Sequence, residues 1–406
     1  MIINFLIIIQ VGNMKNLPIL IRNVKIIFPT SILPGTVIVE DGKIKDVICG
    51  NPQIDVEQMQ VVDGEENYLS PGFIDVHTHG AGNADFMDAT ETAVQTAIKM
   101  HLQHGTTSIV PTTLTSTKES LMEFLKFFNS IPLVSEGYPE ILGLHLEGPY
   151  FSEKQRGAQD KKYLRNPEAE EYMEAFKISN RIIRWSFAVE LPGSEEFLKQ
   201  LKQRNIVASL AHSDADCRTV MRAYDEGVSA LTHFYSCMSG VTRKNAYRVA
   251  GAIEAGYLLD DLYVEVIADG CHLPGELLKL IYKIKSSSRI CLVTDSMRAA
   301  GMPDGIYKLG ALGRGQECII EDGVAKVMDR SAFAGSVATM DRLVRTFWKL
   351  TGAPLHEVVR MATLSPASLI GVQDRKGSIS CGKDADLLIF DENISIKKMM
   401  IRGEWV

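Results

Sequence analysis

The sequence predicts an α/β fold, a (β/α)8 barrel carrying a small β-sandwich satellite domain formed by both chain termini. Three observations predict it. Short apolar runs alternate with helix-like segments eight times between residues 70 and 374, the rhythm of repeated βα units. The flanking segments, 17–69 and 375–406, alternate short β-like runs with Gly and Asp turns instead. No G-x-G-x-x-G phosphate loop supports a doubly wound open sheet.

Taken in order, residues 1–16 open with MIINFLIIIQVG, apolar but too short to span a bilayer. The stretch lacks the leading positive charge and small-residue cleavage site of a secretory signal. It reads as an extension or a misassigned start, since Met14 leads directly into a first strand. ILIRNVKIIF, TVIVEDGKIKDVI and QVVDG then supply the first half of the satellite, and GSISCGKDADLLIFDENISIKKMMIRGEWV the second. Between them, eight candidate strands span 72–79, 107–113, 141–148, 182–190, 206–212, 229–235, 263–270 and 290–296. Segments such as ETAVQTAIKMHLQHG and SEEFLKQLKQRN supply the helices. In such a barrel the chemistry gathers at the C-terminal ends of the strands.

Composition narrows the function. The chain has 406 residues, 46% of them apolar, enough for a large core. A net charge of −7 without a basic run argues against a nucleic-acid partner, and no segment reads as a membrane span. Seven cysteines, none in a C-x-x-C pair, point to reduced thiols and a cytoplasmic setting.

The strand ends carry the candidate chemistry. In PGFIDVHTHG, residues i and i+2 of a strand share a face, so His77 and His79 project together. Alone, the pair reads equally as a metal site or as strand-end polarity. His212, His233 and His272 follow the fifth, sixth and seventh strands, Glu147 ends the third and Asp295 the eighth. Imidazoles and carboxylates converging on one face are what a catalytic divalent metal requires. His145 shares a face with Glu147 and lines the interior or supports the metal shell. His101, His104 and His356 sit on helices, where surface roles are expected.

With these residues in place, the chain resembles the amidohydrolase superfamily and, within it, the N-acetylglucosamine-6-phosphate deacetylases. PGFIDVHTHG, GLHLEGPY, LAHSDA, LTHFYSCMS, IADGCHL, LVTDSM and FAGSVATMD follow that family's order. The resemblance implies metal ligands at Glu147, His212 and His233. It implies a second, optional ion at His77 and His79, with Glu147 bridging. The cofactor is then one or two divalent ions per subunit, zinc, iron, cobalt or manganese. Asp295 would serve as general acid and base, and His272 would donate to the amide carbonyl. Acetate and an amino sugar phosphate are the implied products.

Substrate contacts carried over in the same way fall on Ala158 and Gln159, on Ser236 and Cys237, and on the loop Phe333, Ala334 and Gly335. Gln159 stands where the family has a histidine, and Ser236–Cys237 where it has Asn-Ala. The family's phosphate-binding arginine, donated across a homodimer interface, falls on Lys244 beside Arg243; Arg248 and Arg298 are further candidate cations. The alternative substrates are another N-acetyl sugar, such as N-acetylgalactosamine 6-phosphate or an unphosphorylated one, and an N-acyl amino acid.

Overall fold

A computed structural model describes residues 17–50 and 52–406. The expectation for residues 1–16 lies outside the described residues. In the central region, parallel strands fall in two sheets. A three-stranded sheet contains β1 (Phe73–Thr78), β2 (Thr106–Pro111) and the short strand Glu140–Ile141. A six-stranded sheet runs through β3 (Leu144–Glu147), β4 (Ile182–Phe187), β5 (Val207–Leu210), β6 (Val228–Leu231), β7 (Tyr263–Val266) and β8 (Ile290–Leu292). Two backbone links join the sheets. Thr112, just past β2, bridges His145 of β3 in parallel, and beyond β8 the Asp295 amide donates to the His77 carbonyl at 2.9 Å.

The strand expected over 141–148 is interrupted at Leu142–Gly143. Gly143 holds φ at 152°, and a Cβ there would lie 2.5 Å from Ile183. Only glycine fits this crossing from one sheet to the other.

Helices connect the strands: α1 (Glu91–Gln103), α2 (Lys118–Ser130), α3 (Ala169–Ile178), α4 (Ser194–Gln203), α5 (Cys217–Glu226), α6 (Ala252–Leu258), α7 (Gly275–Ile284) and α8 (Met340–Thr351). Their starts follow local chemistry. Thr90 caps α1 by accepting from the Ala93 amide, and Asp216 caps α5 by accepting from Thr219. The buried face of α1 carries Val94, Ala97, Ile98 and His101, a helical spacing turned onto the sheet. Trp185 of β4 packs edge-on against Phe197 of α4, ring centroids 5.0 Å apart.

Both chain ends share one eight-stranded sheet. Tyr68–Pro71 pairs in parallel with Ile19–Ile27 on one side and antiparallel with Leu387–Phe390 on the other. Ile21, Val37, Leu69, Leu387 and Met400 belong to its separate apolar core. A further antiparallel sheet, Gly305–Leu309, Gln316–Glu321 and Val324–Val327, is inserted between β8 and α8 and was not anticipated from the sequence. Among the described residues, no helix is long and apolar enough to cross a membrane.

Candidate metal centre and active site

The ends of β1, β3, β5, β6 and β8 bring His77, His79, Glu147, His212, His233 and Asp295 together. Three of these residues leave their strands through left-handed backbone: φ is 46° at His212, 35° at His233 and 46° at Asp295. Each such kink costs about 1–3 kcal/mol, which the surrounding core must offset. Strain of this kind gathers where side-chain direction matters more than backbone comfort.

Four imidazoles converge on one carboxylate. His233 Nε2 lies 3.0 Å from Glu147 Oε1, His212 Nε2 3.5 Å and His77 Nε2 3.6 Å. His79 Nε2 lies 3.5 Å from Glu147 Oε2 and 3.1 Å from Asp295 Oδ1. The far nitrogens of three rings are held by acceptors. His212 Nδ1 donates to the Gln155 carbonyl at 2.9 Å, His79 Nδ1 to the Thr112 carbonyl at 3.3 Å, and His77 Nδ1 to Glu265 Oε2 at 3.1 Å. Each of these three rings therefore points its Nε2 at the carboxylates.

That arrangement crowds imidazole nitrogens and carboxylate oxygens together out of water. His77 Nε2 is buried without a hydrogen-bond partner, and the Nε2 atoms of His212 and His233 face each other at 3.2 Å. Burial drives the His77 imidazole down to about 3. Burial opposes charge on His79 too, yet Asp295 and Glu147 outweigh it and draw that ring up to about 9. Burial likewise disfavours the Glu147 carboxylate, but the bonds to His212 and His233 hold it well below the usual range. The site calls for positive charge. A proton on His79 is one source, and a divalent ion satisfies more of these lone pairs at once. Two overlapping ligand triads are available, His77–His79–Glu147 and Glu147–His212–His233.

Comparison with known proteins agrees with this geometry. The family model described as the amidohydrolase family matches residues 68–406. The chain belongs to the amidohydrolase family. It is 31% identical to an N-acetylglucosamine-6-phosphate deacetylase of Bacillus subtilis, over 95% of this chain and 96% of the relative. An N-acetylgalactosamine-6-phosphate deacetylase of Escherichia coli O157:H7 is 32% identical over 85% of this chain and 89% of its own. The crystal structure of an N-acetylglucosamine-6-phosphate deacetylase from Pasteurella multocida superposes with a TM-score of 0.88 at 27% identity, covering 96% of this chain and 99% of that one.

In this amidohydrolase a cavity of about 300 Å³ opens over the cluster. Asp295, His272, Ser236, Cys237, Phe333 and Gly335 line it, as do Ala158 and Gln159. Ala334 does not; it is fully buried and packs with Met297 and Ala325. His272 is fixed by Asp269, whose Oδ2 accepts from its Nδ1 at 2.8 Å while Oδ1 accepts from the Cys271 and His272 amides. Burial opposes the Asp269 charge, but these bonds hold its carboxyl below the usual range.

The candidate cations sit elsewhere. Arg243 and Lys244 lie on an exposed hairpin, Thr242–Lys244 paired with Tyr247–Val249, and do not line the cavity; Arg248 lies on the same hairpin. Arg298 is not at the mouth. It is 1% exposed, and its guanidinium donates to Asp88 and to the carbonyls of Asn83, Lys308 and Gly310. It braces the loops beyond β1 and β8.

His101, expected at the surface, is also buried. Its Nε2 lies 3.1 Å from Thr78 Oγ1 and 3.2 Å from Ser296 Oγ, tying α1 to the ends of β1 and β8. His145 Nε2 lies 2.6 Å from Ser186 Oγ, beneath the cluster rather than in it.

Sequence reasoning missed Glu265, Arg184 and Asp269, together with Tyr235, Leu114 and Leu309 of the cavity wall. Glu265 accepts from His77 Nδ1 and from the Arg184 guanidinium. A charged residue inside an apolar run, as in YVEV and IIRWSF, was the available signal.

Proposed function

We propose that this enzyme hydrolyses the acetamide of an N-acetyl hexosamine phosphate, foremost N-acetylglucosamine 6-phosphate, to acetate and the amino sugar phosphate. The convergence of four Nε2 atoms on Glu147, with Asp295 alongside, carries the reading. Glu147, His212 and His233 would hold one divalent ion, and His77 and His79 with Glu147 a second. A bound ion supplies Lewis-acid polarisation and lowers the pKa of water toward neutrality.

The chain's own residues do the rest. The Asp295 carboxylate, at the cavity floor, takes a proton from the attacking water and returns one to the departing amine. Asp269 holds the His272 ring by Nδ1, leaving Nε2 as the ring's donor to the developing oxyanion once protonated. Ser236, Cys237 and the Phe333–Gly335 loop enclose the sugar. The relative named for N-acetylgalactosamine 6-phosphate supports that sugar as the second reading. Gln159, bonded to Thr115 and Glu147, offers an amide where the family has an imidazole.

The architecture we propose is a closed (β/α)8 barrel over 70–374 with a satellite built from 17–69 and 375–406. The backbone links between β2 and β3 and between β8 and β1 support it. A homodimer would bring the partner's Arg243 or Lys244 to the substrate phosphate, a reading supported by the hairpin's exposed Val241 and Tyr247.

The test strips the protein with a chelator and restores single divalent ions. Acetate release is then followed from N-acetylglucosamine 6-phosphate, its galactosamine epimer, the unphosphorylated sugars and N-acetyl amino acids. Metal-dependent turnover of a hexosamine phosphate is expected. No sugar turnover with any ion would overturn the reading.

A further inference from the structure

A larger cavity, about 570 Å³, adjoins the candidate site and is assigned no role by the mechanism above. The two share Leu114, Ala158, Gln159 and Leu309 as common wall. Gln159 is fixed there: its carbonyl accepts from the Thr115 amide at 3.0 Å and from Thr115 Oγ1 at 2.7 Å, and its amide donates to Glu147 Oε2 at 3.0 Å. The second cavity therefore begins at a residue that touches the proposed metal-bridging carboxylate.

Its wall is more apolar than polar, with hydroxyl and amide side chains set among apolar ones. The charged groups around it are already paired with one another. Asp88 accepts from Arg298 at 2.8 Å, Glu123 lies 3.6 Å from Arg314, and Asp160 lies 2.7 Å from Lys162. No lone cation awaits a second phosphate among the described residues of this wall. By contrast, the side chains of Asn83, Thr92 and Thr96 line the cavity without side-chain hydrogen bonds among the described residues. Tyr163 adds aromatic surface, and the buried ring of Phe124 also lines the cavity. Hydroxyls, amides and aromatic faces without net charge are suited to a neutral polyol, whose hydroxyls need directional partners and whose carbon faces need apolar ones.

We propose that this cavity is a subsite for a neutral sugar unit joined to the N-acetyl hexosamine phosphate, so that the substrates include phosphorylated disaccharides. The inference rests on the hydrolysis proposed above. The reaction is unchanged: water adds, the acetamide C–N bond breaks, acetate leaves and the glycosidic bond stays intact. Insertion of the antiparallel sheet after β8 is what builds this subsite, since Leu309 opens the wall and Ala311 and Arg314 continue it.

The experiment compares N-acetylglucosamine 6-phosphate with disaccharides carrying a neutral hexose on its O1, O3 or O4. Ala311→Trp and Thr92→Trp, both on exposed or half-exposed wall positions, narrow the cavity without touching the metal cluster. At least one disaccharide is expected to match or exceed the monosaccharide in kcat/KM. Either tryptophan variant should cut that disaccharide's kcat/KM by about tenfold or more while leaving the monosaccharide within about twofold. If the monosaccharide phosphate turns over but every disaccharide is at least about a hundredfold slower, the subsite is refuted and the hydrolysis stands. Equal losses on both substrates in both variants would refute it too. No turnover of any phosphate ester would instead sink the underlying function.

Discussion

At the residue scale, Asp295 is the position that tests the proposed division between acid–base chemistry and metal binding. Its Oδ1 lies 3.1 Å from His79 Nε2 and 3.4 Å from His77 Nε2, and its side chain reaches the cavity. Asp295→Asn keeps an oxygen for those contacts but removes the proton-accepting charge. Turnover should fall by about a hundred- to ten-thousand-fold while metal content, measured by elemental analysis, is retained. Residual activity near wild type would remove Asp295 from the mechanism. Asp269→Asn tests the orientation of His272. It preserves an acceptor for the two backbone amides and loses the charge beside the ring, so kcat should drop by at least about tenfold with KM nearly unchanged. A rise in KM alone would assign Asp269 to substrate binding instead. His77, His79, Glu147, His212, His233 and Asp295 could all be picked from the sequence because strand ends concentrate polar residues after apolar runs. Gln155, which orients the His212 ring through its carbonyl, could not, because a backbone acceptor leaves no mark on residue type.

At the element scale, the strands form a polar layer beneath the cluster. Arg184 of β4 donates to Ser209 of β5 at 2.9 Å, to Thr232 beyond β6 at 3.0 Å and to Glu265 of β7. Burial lowers the Arg184 guanidinium to about 9, and its side chain is fully enclosed. Arg184→Met would leave Glu265 buried without its cation, and breaking such a pair is expected to cost about 3–5 kcal/mol, read by urea unfolding. A loss under about 1 kcal/mol would mean that solvent or His77 compensates Glu265. Periodicity located the strands well, as β1 at Phe73–Thr78 against an expected 72–79 illustrates. The last expected strand was 290–296, yet β8 stops at Leu292. Val293 and Thr294 still read as apolar and β-branched, while the chain beyond them turns through the left-handed Asp295 to serve the site. The inserted sheet at Gly305–Val327 escaped notice because its alternation is short and partly exposed, like that of any surface loop.

At the scale of the whole molecule, an ion cluster ties the terminal sheet to the central strands. Glu140, at the edge of the three-stranded sheet, accepts from Arg375 at 2.6 Å and lies 3.0 Å from Lys376. Lys376, nearly buried, also lies 3.1 Å from Asp384 and 2.5 Å from Asp386, and Lys43 of the first satellite strands reaches Asp384 at 2.5 Å. Burial opposes charge on Glu140 and Asp384, but the surrounding cations outweigh it and hold both carboxyls below their ordinary values of 4.5 and 3.8. Folded carboxylates with lowered values bind fewer protons than unfolded ones. Their contribution is therefore complete above about pH 4.5 and is lost as pH falls through the lowered folded values. The urea midpoint should consequently drop between about pH 6 and pH 3.5, and Glu140→Gln should flatten that dependence while lowering the midpoint at the upper end. The remaining carboxylates would keep part of the slope, so the comparison between the two proteins is the informative quantity. Identical slopes would show that Glu140 is equally protonated in both states and that apolar packing, through contacts such as Phe390 against Phe73, joins the two parts instead.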